Sequence, residues 1–443
     1  MYKMKNIALL ICTGLSAVPA FAVSLLRDAD IEHAFAEISR PVLQAAGLSP
    51  KDIKILLLND IRPNAFIIDN KHIFISSGLF LKTENAEMFQ SIIAHEAAHI
   101  ANGHITRRKN NMIAAQTVTA FGIALALTTG AFSRNKELGL PLAIGTSSSS
   151  RRVLLSHTRA EESAADRSAM RYLSRSNIDG KGMLEVLDLF IDQENLSADR
   201  QDPYLRTHPS SRDRKRALEG LIGVKSEHPK DRKDSYWHAR AIGKLSAFES
   251  RPDWTLKNAD KSTSLEVRYL RRAIALSRQG KADSALNEME NALANRPKDP
   301  YLQELKADLL MRNNRFGLAS KEYEKAVSME PNNALLLSGY GRALLADNQL
   351  QKALSILNKA READFRNTRL MHDLAVAYSK IGKNSMAALV TAERYALSGK
   401  IKDAKFHARR ASKGLPLGSP AWQRAQDVLE VNLTNLYGIS NGE

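Results

Sequence analysis

The sequence predicts a mainly α fold in two parts: an α+β unit with a small sheet, then an α-solenoid of helix pairs. Three observations carry that reading. The chain has 443 residues, more than one compact core accommodates. Two strand-length apolar runs, in "DIKILLLND" and "HIFIS", precede helix-patterned sequence in the first half. From about residue 263 onward, small residues recur every 34 positions.

The chain opens with Lys3 and Lys5, then a short apolar core, "NIALLICTGLSAV", then "PAFA" with Ala20 and Ala22 at an A-x-A-like cleavage site. That is the layout of a secretory signal peptide over residues 1–22, and the apolar run is short for a membrane span. Cys12, the only cysteine, lies inside it, and Ile11 is not the small residue a lipoprotein signal wants. Cleavage near Ala22 leaves an exported chain with no disulfides, which fits the periplasm of a Gram-negative bacterium. The net charge of +16, from 64 basic and 48 acidic residues, favours anionic partners, including peripheral contact with an anionic membrane. It reads as a general field, and no nucleic acid is expected, because no basic motif interleaved with aromatics singles it out.

The first unit is placed at residues 23–225. Its strand candidates are followed by a helix over 86–102, with Met88, Ile92, Ile93 and Ile100 on the apolar positions and Asn102-Gly103 as the stop. Residues 112–132 carry no charge for 21 positions, but four threonines, two glycines and a glutamine dilute them. A buried or groove-lining helix is expected there, with membrane-surface contact or a span as alternatives. Residues 226–262, charge-rich with two tryptophans, read as a connector.

Residues 263–443 hold the repeats. Ala285, Ala319, Ala353 and Ala387 form one column at 34-residue spacing; Ala273, Ala307, Gly341 and Ala375 form a second; Ala292, Ala326 and Ala360 form a third. Small residues are needed where paired helices cross closely, and this period is that of tetratricopeptide helix pairs.

The chemistry is concentrated in "SIIAHEAAHIANGH", residues 91–104. His95 and His99 are i and i+4 on a helix, so both imidazoles leave one face and can reach one metal ion. Glu96 lies about 100° further round, beside the metal rather than on it, where a carboxylate can act as general base toward water. A catalytic zinc needs a third protein ligand. His104 falls one residue short of a known third-histidine spacing and reads as a hydrogen-bonded helix-end residue. His157 has only proximity to recommend it. "RAEESAADRSAMRYL" puts Glu162 and Asp166 on one helix face, where acids are expensive unless paired or metal-bound. Glu162 as ligand and Asp166 as acceptor from a ligand histidine would satisfy both. Glu161 competes but has no partner carboxylate on its face.

Together, "NAFIIDNKHIFISSGLF", "HEAAHIANGH" and Glu162-Ser163-Ala164-Ala165-Asp166 resemble the HtpX/CAAX-prenyl-protease-type family of zinc metallopeptidases. The export signal in front and the repeats behind are similar to its periplasmic BepA-like branch. The resemblance implies a zincin-type α+β domain holding one Zn2+ per chain through His95, His99 and Glu162, with Glu96 as general base. It implies that His72, Ile73, Phe74 and Ile75 form the edge strand on which a substrate peptide lies. "RTHPSSRDR" matches a further element of the branch and places His208 and Arg214 near the metal. His208 would either fill the open position and keep the enzyme latent, or act on the transition-state oxyanion when displaced. The integral-membrane members carry strong spans, and only 112–132 is comparable here.

Two functions are therefore expected, from different classes. The first is an exported zinc endopeptidase acting on protein substrates, with outer-membrane proteins and their assembly machinery as clients and partners. The second is a repeat-based chaperone or scaffold with a latent metal site.

Overall fold

Lys54–Leu58 (β2) and His72–Ser76 (β4) pair in parallel at the middle of a four-stranded sheet of order β1-β2-β4-β3. Leu25–Leu26 (β1) closes one side and Ala65–Ile67 (β3) the other, both antiparallel. These are the apolar runs of the sequence, and β4 is buried along its whole length because helices cover the sheet. The structure, a computed structural model, describes residues 25–107, 158–193, 195–196, 200–208, 211–222 and 233–430. The expected signal peptide, the apolar segment 112–132 and His157 lie outside the described residues.

The sheet corrects one expectation. His72–Ile75 is not an edge: Ile73 faces Ile55 on β2 and Ile67 on β3, so both sides of β4 are hydrogen-bonded. On that side of the sheet the outer strand is β3. Its three residues, "AFI", are too few to show a period, so the sequence left β4 apparently unpaired on that side.

Helix α1 (Ala29–Ala45) starts at Asp28, whose side chain accepts from Ile31 N–H. After the one-turn α2 (Ser77–Phe80), α3 (Ala86–Ala101) is capped by Asn85 and carries the HExxH sequence. It ends where Gly103 adopts φ +70°, a conformation that favours glycine. Across it pack α4 (Arg159–Arg175) and α5 (Lys181–Asp188). Ala98 and Ala165 meet with no exposed surface, and these small residues let α3 and α4 approach closely. The short α6 (Pro203–Thr207) and α7 (Ser211–Glu219) complete the unit.

The segment expected as a connector holds two helices, α8 (Lys233–Glu249) and α9 (Pro252–Asn258). Trp237, Ala241 and Leu245 of α8 belong to the first unit's core, whereas Ala247 belongs to the core of the first repeat. Charged residues on the same helix are buried with it. Arg240 pairs with Asp30 at 2.9 Å and, through both terminal nitrogens, with Asp299. Lys244 lies 2.9 Å from Asp28 and 3.6 Å from Glu304.

The repeats are helix pairs: α10 (Leu265–Arg278) with α11 (Ala282–Asn295), α12 (Pro300–Arg312) with α13 (Phe316–Met329), α14 (Ala334–Ala346) with α15 (Leu350–Ala363), and α16 (Thr368–Lys380) with α17 (Asn384–Leu397). A further pair, α18 (Ile401–Gly414) and α19 (Pro420–Glu430), follows. The alanine columns sit at the crossings; a Cβ on Gly341 would meet Leu357 at 2.5 Å. The same period governs two further sets of residues. Gly280, Asn314, Asn348 and Gly382 take positive φ between the two helices of a pair, and Asp299, Asn333 and Asn367 cap the first helix. No helix among the described residues is long and apolar enough to cross a membrane.

Candidate metal centre

α3 delivers His95 and His99 from one face, and α4 delivers Glu162 opposite them. His208, at the end of α6, completes the group. All four are buried, and one ligand atom from each lies within 4.8 Å of the others. The Nε2 atoms of His95 and His99 are 3.0 Å apart. Glu162 Oε2 is 3.4 Å from His95 Nε2, and Oε1 is 3.3 Å from His99 Nε2. His208 Nδ1 is 3.2 Å from His95 Nε2 and 3.1 Å from Glu162 Oε1.

These separations fit a tetrahedral ion. Ligand bonds of about 2.0–2.1 Å set the ligand atoms about 3.3 Å apart. Hydrogen bonds alone do not explain the cluster, because His95 Nε2 faces both His99 and His208 nitrogens and carries at most one proton. Burial alone would lower the His95 pKa, yet Glu162 and Asp166 raise it to about 9. The surroundings thus demand positive charge at that point. Burial works against the charge on Glu162, but His208, Arg214 and His95 hold its pKa well below the usual range.

Behind the cluster, each histidine of α3 is held through its other nitrogen. His95 Nδ1 lies 3.0 Å from Asp166 Oδ1, and His99 Nδ1 lies 2.8 Å from the buried His104. Arg214 grips Asp166 with two 2.7 Å hydrogen bonds and reaches Glu162 Oε2 at 2.9 Å. Glu161, the competing acid, is occupied elsewhere: it forms a capping box with Thr158 at the start of α4.

Glu96 is fully buried, and neither carboxylate oxygen has a hydrogen-bond partner among the described residues. His208 Nε2 lies 3.4 Å from its Oε1 and 3.3 Å from the carbonyl of Ala65 on β3. Burial raises the Glu96 pKa against the pull of His208 and His95. Sequence reasoning missed Tyr204, four residues before His208. Its ring stacks on Phe190 and lies 4.7 Å from the His208 ring, and its carbonyl accepts from His208 N–H at 2.8 Å. The i, i+4 spacing on a short helix was the available signal.

Comparison with known proteins places two kinds of domain on the chain. Residues 26–222 match the family model described as Peptidase family M48, and residues 270–319 and 310–377 match tetratricopeptide repeat models. The chain carries an M48 peptidase domain followed by tetratricopeptide repeats. It is similar to the beta-barrel assembly-enhancing protease of Escherichia coli (strain K12), 26% identical over 82% of this chain and 75% of that one. A protein of the same name from Yersinia pestis is 25% identical over the same shares. Among solved structures, YrrB, titled a TPR protein with an unusual peptide-binding site, covers 39% of this chain and 91% of its own at 18% identity and a TM-score of 0.32. The M48 match over residues 26–222 implies a divalent metal, and the donor set described above fits one.

Proposed function

We propose that the chain is an exported zinc-dependent endopeptidase that cleaves protein clients, with a role in the assembly or quality control of outer-membrane proteins. The observation that carries the reading is the meeting of four ligand atoms within 4.8 Å beside a buried carboxylate with no hydrogen-bond partner among the described residues. The names of the relatives supply the outer-membrane context. His95, His99 and Glu162 are the ligands of one Zn2+, and Asp166 and Arg214 orient them. A zinc ion held there would polarise the scissile carbonyl and acidify water. Glu96 is placed to take the proton from that water and pass it to the leaving amine. A client strand would add to the outer edge of β3, through backbone hydrogen bonds. We assign residues 1–22 to the signal, 23–225 to the peptidase unit, 226–262 to the join and 263–443 to client or partner recognition, in the periplasm.

His208 gives the latent alternative its support. It occupies the fourth corner of the cluster, and its Nε2 lies by the Ala65 carbonyl that an incoming strand would use. Latency and proteolysis are then two states of one site. The test is metal content and casein cleavage of the purified protein. One equivalent of zinc is expected, and His208→Ala should raise cleavage about ten-fold or more by freeing the fourth position. A metal-free protein would sink the ligand assignment. Zinc with cleavage unchanged in His208→Ala would remove His208 as the gate.

A further inference from the structure

The positive charge of this chain is not spread evenly along the repeats. Residues 281–330 hold eight Lys and Arg against nine Asp and Glu; residues 380–413 hold nine against two. The excess gathers at α18, "IKDAKFHARRASKG". Its inner face is alanine: Ala404, Ala408 and Ala411 are buried against the neighbouring helices. Its outer face is different. Lys402, Phe406, Arg409 and Lys413 all project within an arc of about 60°, at 100° per residue, and Arg410 stands next to them. All five are exposed, and the Phe406 ring is 57% exposed.

No acid among the described residues pairs with a cation of this stripe. Among the described residues, Lys402, Arg409, Arg410 and Lys413 make no ion pair, although many cations of the earlier repeats do, such as Lys306 with Glu290 and Glu322. The one acid on the exposed surface of α18 is Asp403. Arg410 instead lies over the Phe406 ring, 5.9 Å from its centre. Arg394 of the adjoining α17 and Lys400, just before α18, flank Tyr395, which stacks on His407 of α18. The turn after α18 presents Leu417, 85% exposed.

We propose that the outer face of α18 is a docking surface for an anionic phospholipid bilayer. The cations complement phosphate headgroups, and Phe406 supplies an apolar side chain on the same stripe to enter the headgroup boundary. An acidic protein would engage the cations but gives no account of an aromatic ring exposed among them. The surface lies at the far end of the repeats from the metal centre and does not depend on the protease assignment.

The test is co-sedimentation of the purified chain with vesicles of phosphatidylcholine, with and without phosphatidylglycerol, at low and high salt. Binding is expected only to the anionic vesicles and is expected to fall with salt. The combined variant K402Q/R409Q/R410Q/K413Q should bind about 600-fold more weakly, since each of the four cations near such a surface is worth about five-fold. Phe406→Ser alone should weaken binding about ten-fold. The control K51Q/K281Q/K298Q/K321Q removes the same charge from exposed sites elsewhere and should bind like the wild type; casein cleavage should be unchanged in every variant. Equal losses in the stripe variant and the control would overturn the proposal in favour of a diffuse field. So would absence of wild-type binding. Loss of polyglutamate binding in the stripe variant, with vesicle binding intact, would reassign the face to an acidic protein.

Discussion

Glu96→Gln should abolish proteolysis while leaving the zinc in place. The expected loss is about 10²- to 10⁴-fold in kcat/KM, the range for removing a positioned general base. Several features of the site make this substitution clean. Gln is nearly isosteric with Glu. The carboxylate accepts no hydrogen bond from the described residues, so the amide breaks none. It is not one of the four grouped ligand residues, so the metal content should stay at one equivalent. Thermal stability should not fall either, because a buried acid without a hydrogen-bond partner becomes a neutral group. Zinc analysis beside casein cleavage reads both outcomes. A variant that keeps its zinc and still cleaves at the wild-type rate would move the base elsewhere. A variant that is inactive in cleavage but intact in outer-membrane assembly would make the repeats the working part.

The second large effect lies outside the metal centre. Arg240→Ala should destabilise the protein by about 3–5 kcal/mol, the usual result of removing one partner from a buried ionic cluster. Arg240 is fully buried, and its loss strands Asp30 on α1 and Asp299 at the start of α12. Asp299 also caps α12 by accepting from Tyr301 and Leu302 N–H, so its charge is used twice. Burial would raise the Asp299 pKa, but its hydrogen bonds with Arg240 lower it below 3.8. A depressed carboxylate stabilises the fold above its unfolded pKa and loses that contribution as pH falls through the folded one. The gap between variant and wild type should therefore be wide at neutral pH and narrow below pH 3.8. Thermal unfolding across that range measures it; an equal gap at every pH would mean that lost packing, not stranded charge, sets the cost.

What could be read from the sequence was what short-range geometry dictates. His95 and His99 four residues apart on a helix leave one face together, and in the fold their Nε2 atoms are 3.0 Å apart. Glu162 and Asp166 share a face for the same reason, and both turn toward His95. The repeats announced themselves through columns of small residues, each needed at a helix crossing. Long-range pairing was not readable in this way. β4 acquired its second neighbour from a strand of three residues, too short for any pattern. The segment 226–262, charge-rich with two tryptophans, reads as a connector; the burial of its Arg240 and Lys244 depends on Asp28, Asp30, Asp299 and Glu304 arriving from distant positions. Similarly, the +16 charge gave no hint of α18 until the neighbours of each cation were known.

Helix α8 finishes two hydrophobic cores at once, with Trp237, Ala241 and Leu245 in one and Ala247 in the other. The repeats are therefore not a cassette that can be unplugged from the peptidase. A peptidase fragment that ends before residue 233 opens a seam along α1, and a repeat fragment that begins after Glu249 lacks the surface its first helix pair leans on. Force applied to the solenoid is delivered through α8, which is packed into both cores, rather than being absorbed by a slack hinge.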